Sequence, residues 1–171
     1  GARLRARLVI AADGRNSSVR AAAGIDVRTT RYGQKALAFA VTHPIPHENV
    51  STEIHRSGGP FTLVPLPDYT GKDGVARPSS AVVWMERGPE VRRPLDLDTE
   101  AFEAAMTERS AHLFGPLTLV SRKTVWPIIS QTARALQAER IALVAEAAHV
   151  VPPIGAQGLN MSLADIRTLL D

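Results

Sequence analysis

The chain has 171 residues, 44% of them hydrophobic and only 5% aromatic, and 20 Lys and Arg against 17 Asp and Glu leave a formal net charge of +3. That is an ordinary globular composition, long enough to bury a core, and its Arg residues are scattered among acids, which argues against a nucleic-acid surface. There is no Cys, so disulfides, thiolate catalysis and thiolate-bound metal are excluded; with no apolar run of about 18–20 residues and no signal-peptide core, a cytoplasmic protein without a transmembrane segment is expected.

In chain order, Arg3–Leu8 alternates Arg with apolar residues, a period of two that predicts a half-exposed strand, and Val9–Ala12 reads as its buried end. Asp13-Gly14-Arg15-Asn16 breaks the strand, and Ser17–Ala23 is a short helix stopped by Gly24. Ala36–Val41, Thr52–His55, Phe61–Leu66 and Ala81–Met85 read as strands between Pro, Gly and Asn, with a loop over Tyr69–Ser79. Asp98 or Thr99 caps a helix expected to reach about Leu113 before Gly115-Pro116. Leu117–Ile129 is read as extended and interrupted at Pro127, and Ile141–Val144 as the last strand. Leu159, Leu163, Ile166 and Leu170 recur at helical spacing in a closing helix. The ends therefore read as α/β and the middle as mainly antiparallel β with one helix.

Two stretches could carry chemistry. The first is the strand–turn–helix unit around Asp13-Gly14, a pair that is also a common plain turn. The second runs from Ala145-Glu146-Ala147-Ala148-His149 through Val150-Val151-Pro152-Pro153-Ile154-Gly155-Ala156-Gln157-Gly158-Leu159-Asn160. A carboxylate at a strand end, followed by a rigid turn that offers backbone N–H groups at a helix start, suits a polar, partly anionic cofactor. Glu146 and His149 also have the Glu-x-x-His spacing of di-iron carboxylate bundles, but no second such pair exists. No Gly-x-Ser-x-Gly elbow supports a hydrolase.

Both stretches resemble the FAD-dependent aromatic hydroxylases, most closely the ubiquinone-biosynthesis group. Ile10–Arg20 is similar to that family's Asp-Gly motif, which serves FAD and the nicotinamide donor, and Ala145–Asn160 to its second flavin motif. The resemblance implies a fragment of an α/β, Rossmann-like FAD/NAD(P)-binding domain, residues 1–30 and 130–171, with an inserted, mainly antiparallel β substrate domain over 31–129. It implies cofactor contacts from Asp13, Gly14, Arg20, Glu146, Pro153, Gly155, Gln157, Gly158, Leu159 and Asn160. Gly14 would let the backbone approach a diphosphate, and Arg20 would support the turn or face phosphate. His149 and Pro153 would stand nearest the reacting ring, with a packing and hydrogen-bonding role favoured for His149.

Two positions depart from the family pattern. Ala145 stands where the family has Gly, and Glu146 where it has Asp; Ala145 is expected to follow the turn only with a negative φ. No Gly-x-Gly-x-x-Gly turn is present, so the chain reads as less than half of a typical member, and by itself inactive.

Gly59–Asp68 resembles the family's substrate-domain strand, with Trp84 and Trp126-Pro127 facing substrate or, as the favoured reading, core. The implied activity is hydroxylation of a small aromatic or prenylated phenol with NAD(P)H and O2, in the cytoplasm or at the inner membrane surface, alone or in a multi-enzyme complex. The alternatives are a non-catalytic assembly subunit that keeps the fold, or a halogenase or prenyl reductase, for which no active-site lysine or motif is visible.

Overall fold

The computed structural model describes residues 3–56 and 58–170. In chain order the elements are β1 (Val9–Ala11), α1 (Ser18–Ala22), β2 (Val27–Thr42), β3 (Thr52–Arg56), β4 (Gly59–Thr70), β5 (Ala76–Arg87), α2 (Arg92–Leu95), α3 (Thr99–Arg109), β6 (Thr118–Leu119), β7 (Thr124–Ala133), β8 (Gln137–Ala138), β9 (Ile141–Leu143), β10 (His149–Val150) and α4 (Gln157–Leu170). Short 3-10 turns stand at Ala145–Ala147 and Ile154–Ala156. The elements group into two compact units, Gly1–Tyr32 with Ile128–Asp171, and Gly33–Pro127. No helix among the described residues is long and apolar enough to cross a membrane.

In the first unit β1 and β9 pair in parallel, Val9 opposite Ile141 and Ala11 opposite Leu143, and β8 runs antiparallel along the other side of β9. Ala11, Ala133, Leu143, Ala147 and Ala148 make a core of small side chains, against which Val19, Ile25 and Ile141 pack. Ser17 caps α1 by accepting a hydrogen bond from the Arg20 N–H at 2.9 Å. The strand expected over Arg3–Leu8 is absent, and those residues are exposed. Alternation makes a strand only where a neighbour pairs with it, and β9 offers partners to Val9–Ala11 alone. Nor is Ile141–Val144 the last strand: His149 and Val150 pair antiparallel with Thr132 and Gln131 of β7.

In the second unit β3, β4, β5 and β2 lie side by side, all antiparallel, with β6 on the end of β2. The expected Tyr69–Ser79 loop is mostly strand, because Tyr69 pairs with Arg77 and Thr70 with Ala76, leaving a turn of five residues over 71–75. Pro127 does not interrupt β7; a proline is tolerated where no ladder N–H is needed.

One face of this sheet, carrying Leu37, Phe39, Phe61, Leu63, Val82 and Trp84, packs on Phe102 and Met106 of α3. Phe39 meets Phe102 edge-on at 5.2 Å, and Phe61 meets Trp84 at 5.6 Å. Complete burial of a side chain such as Phe61 or Phe102 contributes about 1.5–3 kcal/mol each. Asp98 caps α3 by accepting from the Ala101 N–H at 2.8 Å. The helix ends at Arg109, short of Leu113, since Ala111 and His112 both take a left-handed φ of 56°.

Candidate cofactor site

The Asp-Gly turn follows β1. Gly14 has φ +86°, and nothing lies within 4 Å of where a Cβ would stand, so the backbone there is open to close approach. Asp13 turns back onto the start of α1: one carboxylate oxygen accepts from the Ser17 hydroxyl, the other from the N–H groups of Ser18 at 2.9 Å and Val19 at 3.2 Å. These bonds, the Ser17 hydroxyl foremost, lower its pKa from 3.8 to about 2. Asp13 is therefore an ionised cap that fixes the turn. Arg20 is buried; Nη1 donates to the Ala147 carbonyl at 2.8 Å and Nη2 to the Arg15 carbonyl at 2.9 Å. Of the two expected roles, its contacts match support of the turn.

The second turn leaves β9 at Val144. Contrary to the expectation of a negative φ, Ala145 is left-handed at +53°, a conformation that costs a residue with a Cβ about 1–2 kcal/mol. Two bonds hold it there. Its N–H donates to Asp165 Oδ2 at 2.8 Å, and its carbonyl accepts from the Ala148 N–H at 2.9 Å. The backbone thus keeps the turn that glycine would adopt freely. Glu146 consequently points outward, its side chain 52% exposed and its Oε2 3.8 Å from Arg15 Nε.

Asp165 is the residue that sequence reasoning missed. The same Oδ2 that holds Ala145 lies 2.7 Å from Nε2 of the half-buried His149. One carboxylate of α4 therefore fixes both the acid turn and the imidazole. Its only sequence signal is an acid in the closing helix, beside the apolar positions Leu163 and Ile166.

Beyond His149 the chain opens. Pro153 and residues 154–160 are exposed, Gly155 and Ala156 take φ of 68° and 50°, and the Gln157 amide donates to the Gly155 carbonyl at 3.0 Å. Gly158, in the first turn of α4, has nothing within 4 Å of a would-be Cβ. Leu159 and Asn160 complete this turn, whose N–H groups have no partner within the helix. Gly155, Gln157, Gly158, Leu159 and Asn160 therefore form one solvent-facing turn, beside Pro153, which has no N–H to donate.

In the second unit, Trp84 lies in the core between Phe61 and Phe102, and its Nε1 donates to Glu86 at 2.9 Å. It faces away from the sheet's other side, where the register groups Ala38, Ala40, Thr62, Val64, Ala81 and Val83, small and mostly half-buried residues. Trp126 is half-exposed.

All 171 residues match the family described as FAD binding domain. The chain belongs to that family. It is 36% identical over its whole length to ubiquinone hydroxylase UbiL of Rhodospirillum rubrum, covering 38% of that protein. It is 27% identical, over 98% of its length, to 3-demethoxyubiquinol 3-hydroxylase of Escherichia coli, covering 40% of that protein. The chain thus spans about two-fifths of these relatives. Among solved structures, aklavinone-11 hydroxylase in complex with FAD and aklavinone superposes with a TM-score of 0.68 over 95% of this chain and 30% of that one, at 21% identity. The flavin-dependent halogenase CmlS does so with a TM-score of 0.72 over 94% of this chain and 29% of that one, at 16% identity. At these identities the likeness is one of fold.

Proposed function

We propose that the protein carrying this chain is a FAD-dependent monooxygenase that hydroxylates an aromatic ring, its substrate a prenylated phenol of ubiquinone biosynthesis, with NAD(P)H as reductant and O2 as oxidant. The observation that carries this reading is the open turn from Pro153 to Asn160, set behind a fixed acid turn, in a chain similar over its full length to a ubiquinone hydroxylase.

The residues present fit a flavin dinucleotide. Gly14 and Gly158 leave uncluttered backbone where a diphosphate or a ring edge must approach closely. Glu146 offers an exposed carboxylate to a ribityl or ribose hydroxyl, and its partner Arg15 steadies it. The N–H groups of Leu159 and Asn160, at the positive end of α4, would stabilise negative charge on the pyrimidine edge of the ring. His149 and Pro153 form the wall beside them, His149 acting by position and with its imidazole held by Asp165. Bound FAD would supply the electron transfer and oxygen activation. The small apolar face of β2, β5 and β4 would give a phenol ring a flat wall without a charged anchor, which suits a greasy substrate better than a carboxylate. The same apolar chemistry suits work at a membrane surface.

The test is a visible spectrum of the purified full-length protein, followed by NAD(P)H oxidation with prenylated phenols. Flavin bands near-stoichiometric with protein and a product carrying one oxygen from O2 are expected. A colourless protein that cannot be reconstituted with FAD would replace this reading with a non-catalytic role in assembly.

A further inference from the structure

The second unit contains a cavity of about 720 Å³, bounded by β5, α2, α3, Arg56 and Gly58. It does not touch the small apolar face described above, because its wall includes Trp84, Ala105 and Leu97 from the α3 side of the sheet.

Arg109 lines it at 8% exposure. Its Nη2 donates to the Gly59 carbonyl, and its guanidinium stands 5.9 Å from the centroid of the Phe61 ring. Nε and Nη1 have no hydrogen-bond partner among the described residues. Three N–H donors of a buried cation are thus unfilled, an arrangement that is costly unless an acceptor arrives. Burial accordingly pushes the Arg109 pKa down.

Acids also line the cavity, and the charge of Glu86 acts favourably on Arg109 without hydrogen-bonding it. Glu86 accepts from Trp84 Nε1 and its carboxylate sits against Gly58, where a Cβ would collide with it. Glu108 is shared by Arg56 at 3.4 Å and His112 at 2.9 Å. Arg87 and Arg93 stand exposed at the cavity wall and form no ion pair among the described residues. Glu90 is the remaining acid of the lining.

We infer that this cavity is a binding site for a phosphate ester with an apolar body: the oxyanion takes the free Nε and Nη1 of Arg109, Arg87 and Arg93 supply the second positive field, and the apolar portion lies along Trp84 and Leu97. A dianion matches several guanidinium groups better than a monocarboxylate does, and Arg binds phosphate through paired N–H donors. The ester could be a free metabolite or a lipid headgroup, since both present the same oxyanion.

The test is direct titration of the full-length protein, in phosphate-free buffer, with inorganic phosphate and with phenyl phosphate, followed by calorimetry and by the Nε–H resonance of Arg109. Saturable binding is expected, tighter for phenyl phosphate, with a shift of that resonance. Arg109→Met should lose roughly tenfold or more in affinity. Arg93→Ala, exposed and so safe for folding, should lose about two- to fivefold. Sedimentation with phosphatidate vesicles but not neutral ones, weakened by Arg93→Ala by the same factor as soluble-ester binding, would assign the headgroup; binding of soluble esters alone would assign the free metabolite. The inference is overturned if neither probe nor vesicle binds, if sulfate at equal ionic strength gives the same response, or if Arg93→Ala binds like the parent and the Nε–H resonance stays still. None of these readouts depends on flavin.

Discussion

His149 Nε2 lies 2.7 Å from Asp165 Oδ2, so the imidazole at the mouth of the candidate cofactor turn is anchored to the helix that follows it. Because the same oxygen also accepts from the Ala145 N–H at 2.8 Å, this pair controls the acid turn as well.

Replacing Asp165 with Asn swaps a charged acceptor for a neutral one: a single amide oxygen can still face both donors, but both bonds lose their charge assistance. A loss of about 1–3 kcal/mol is expected in urea unfolding, together with weaker FAD retention on gel filtration. Unchanged stability would mean that the two bonds do not hold the turn.

Ala145→Gly should do the opposite. With φ at +53°, the Cβ is the source of the strain, so its removal should stabilise the chain by about 1 kcal/mol, offset in part by the freer unfolded chain. A rise in the urea midpoint at constant slope checks this; Ala145→Val should lower it.

Arg20→Lys is not conservative. One ammonium has to replace two guanidinium bonds aimed at Ala147 and Arg15. A cost of roughly 1.5–3 kcal/mol is expected, visible as a lower Tm and as faster amide exchange in both turns.

Acid should weaken the fold through Asp13 and Asp73, each ionising at about 2 instead of 3.8. Ser17 is the main cause for Asp13, and Arg77 for Asp73. Between those values the unfolded chain binds more protons, so their contribution is complete above about 3.8 and fades as pH falls towards 2. Asp13→Asn and Asp73→Asn should each flatten the stability–pH curve in that window and leave its slope near neutrality unchanged.

His43 adds a second pH window. It is 3% exposed, with Nδ1 against the Ile45 carbonyl at 2.8 Å and Nε2 against the Ser80 hydroxyl at 2.9 Å. Burial pushes its pKa below 6.5. The unfolded chain therefore takes the proton first, and stability should fall as pH drops below 6.5. His43→Gln should remove that slope.

The local parts of the structure were legible in the residues. Ser17 and Asp98 are caps because a short oxygen before an apolar helical stretch finds free N–H groups at once. Likewise, Val9–Ala11 and Ile141–Leu143 read as strands from composition alone. Long-range matters were not legible. The Arg alternation of Arg3–Leu8 has no pairing neighbour, and the Gly-rich Tyr69–Ser79 stretch becomes a hairpin because its two ends pair. The strain at Ala145 was invisible because the carboxylate that offsets it comes from Asp165, 20 residues later. Nothing in the sequence singles out Arg109, because its contact with the Gly59 carbonyl spans 50 positions.

The bond from Arg20 to the Ala147 carbonyl joins segments 127 positions apart. A change in either loop alters the ground on which the other stands. Selection therefore meets the two motifs as one character: substitutions in one should be accepted mainly alongside compensating changes in the other. A chimera that takes its opening segment from one relative and its closing segment from another would inherit a mismatch at this guanidinium before any ligand is met.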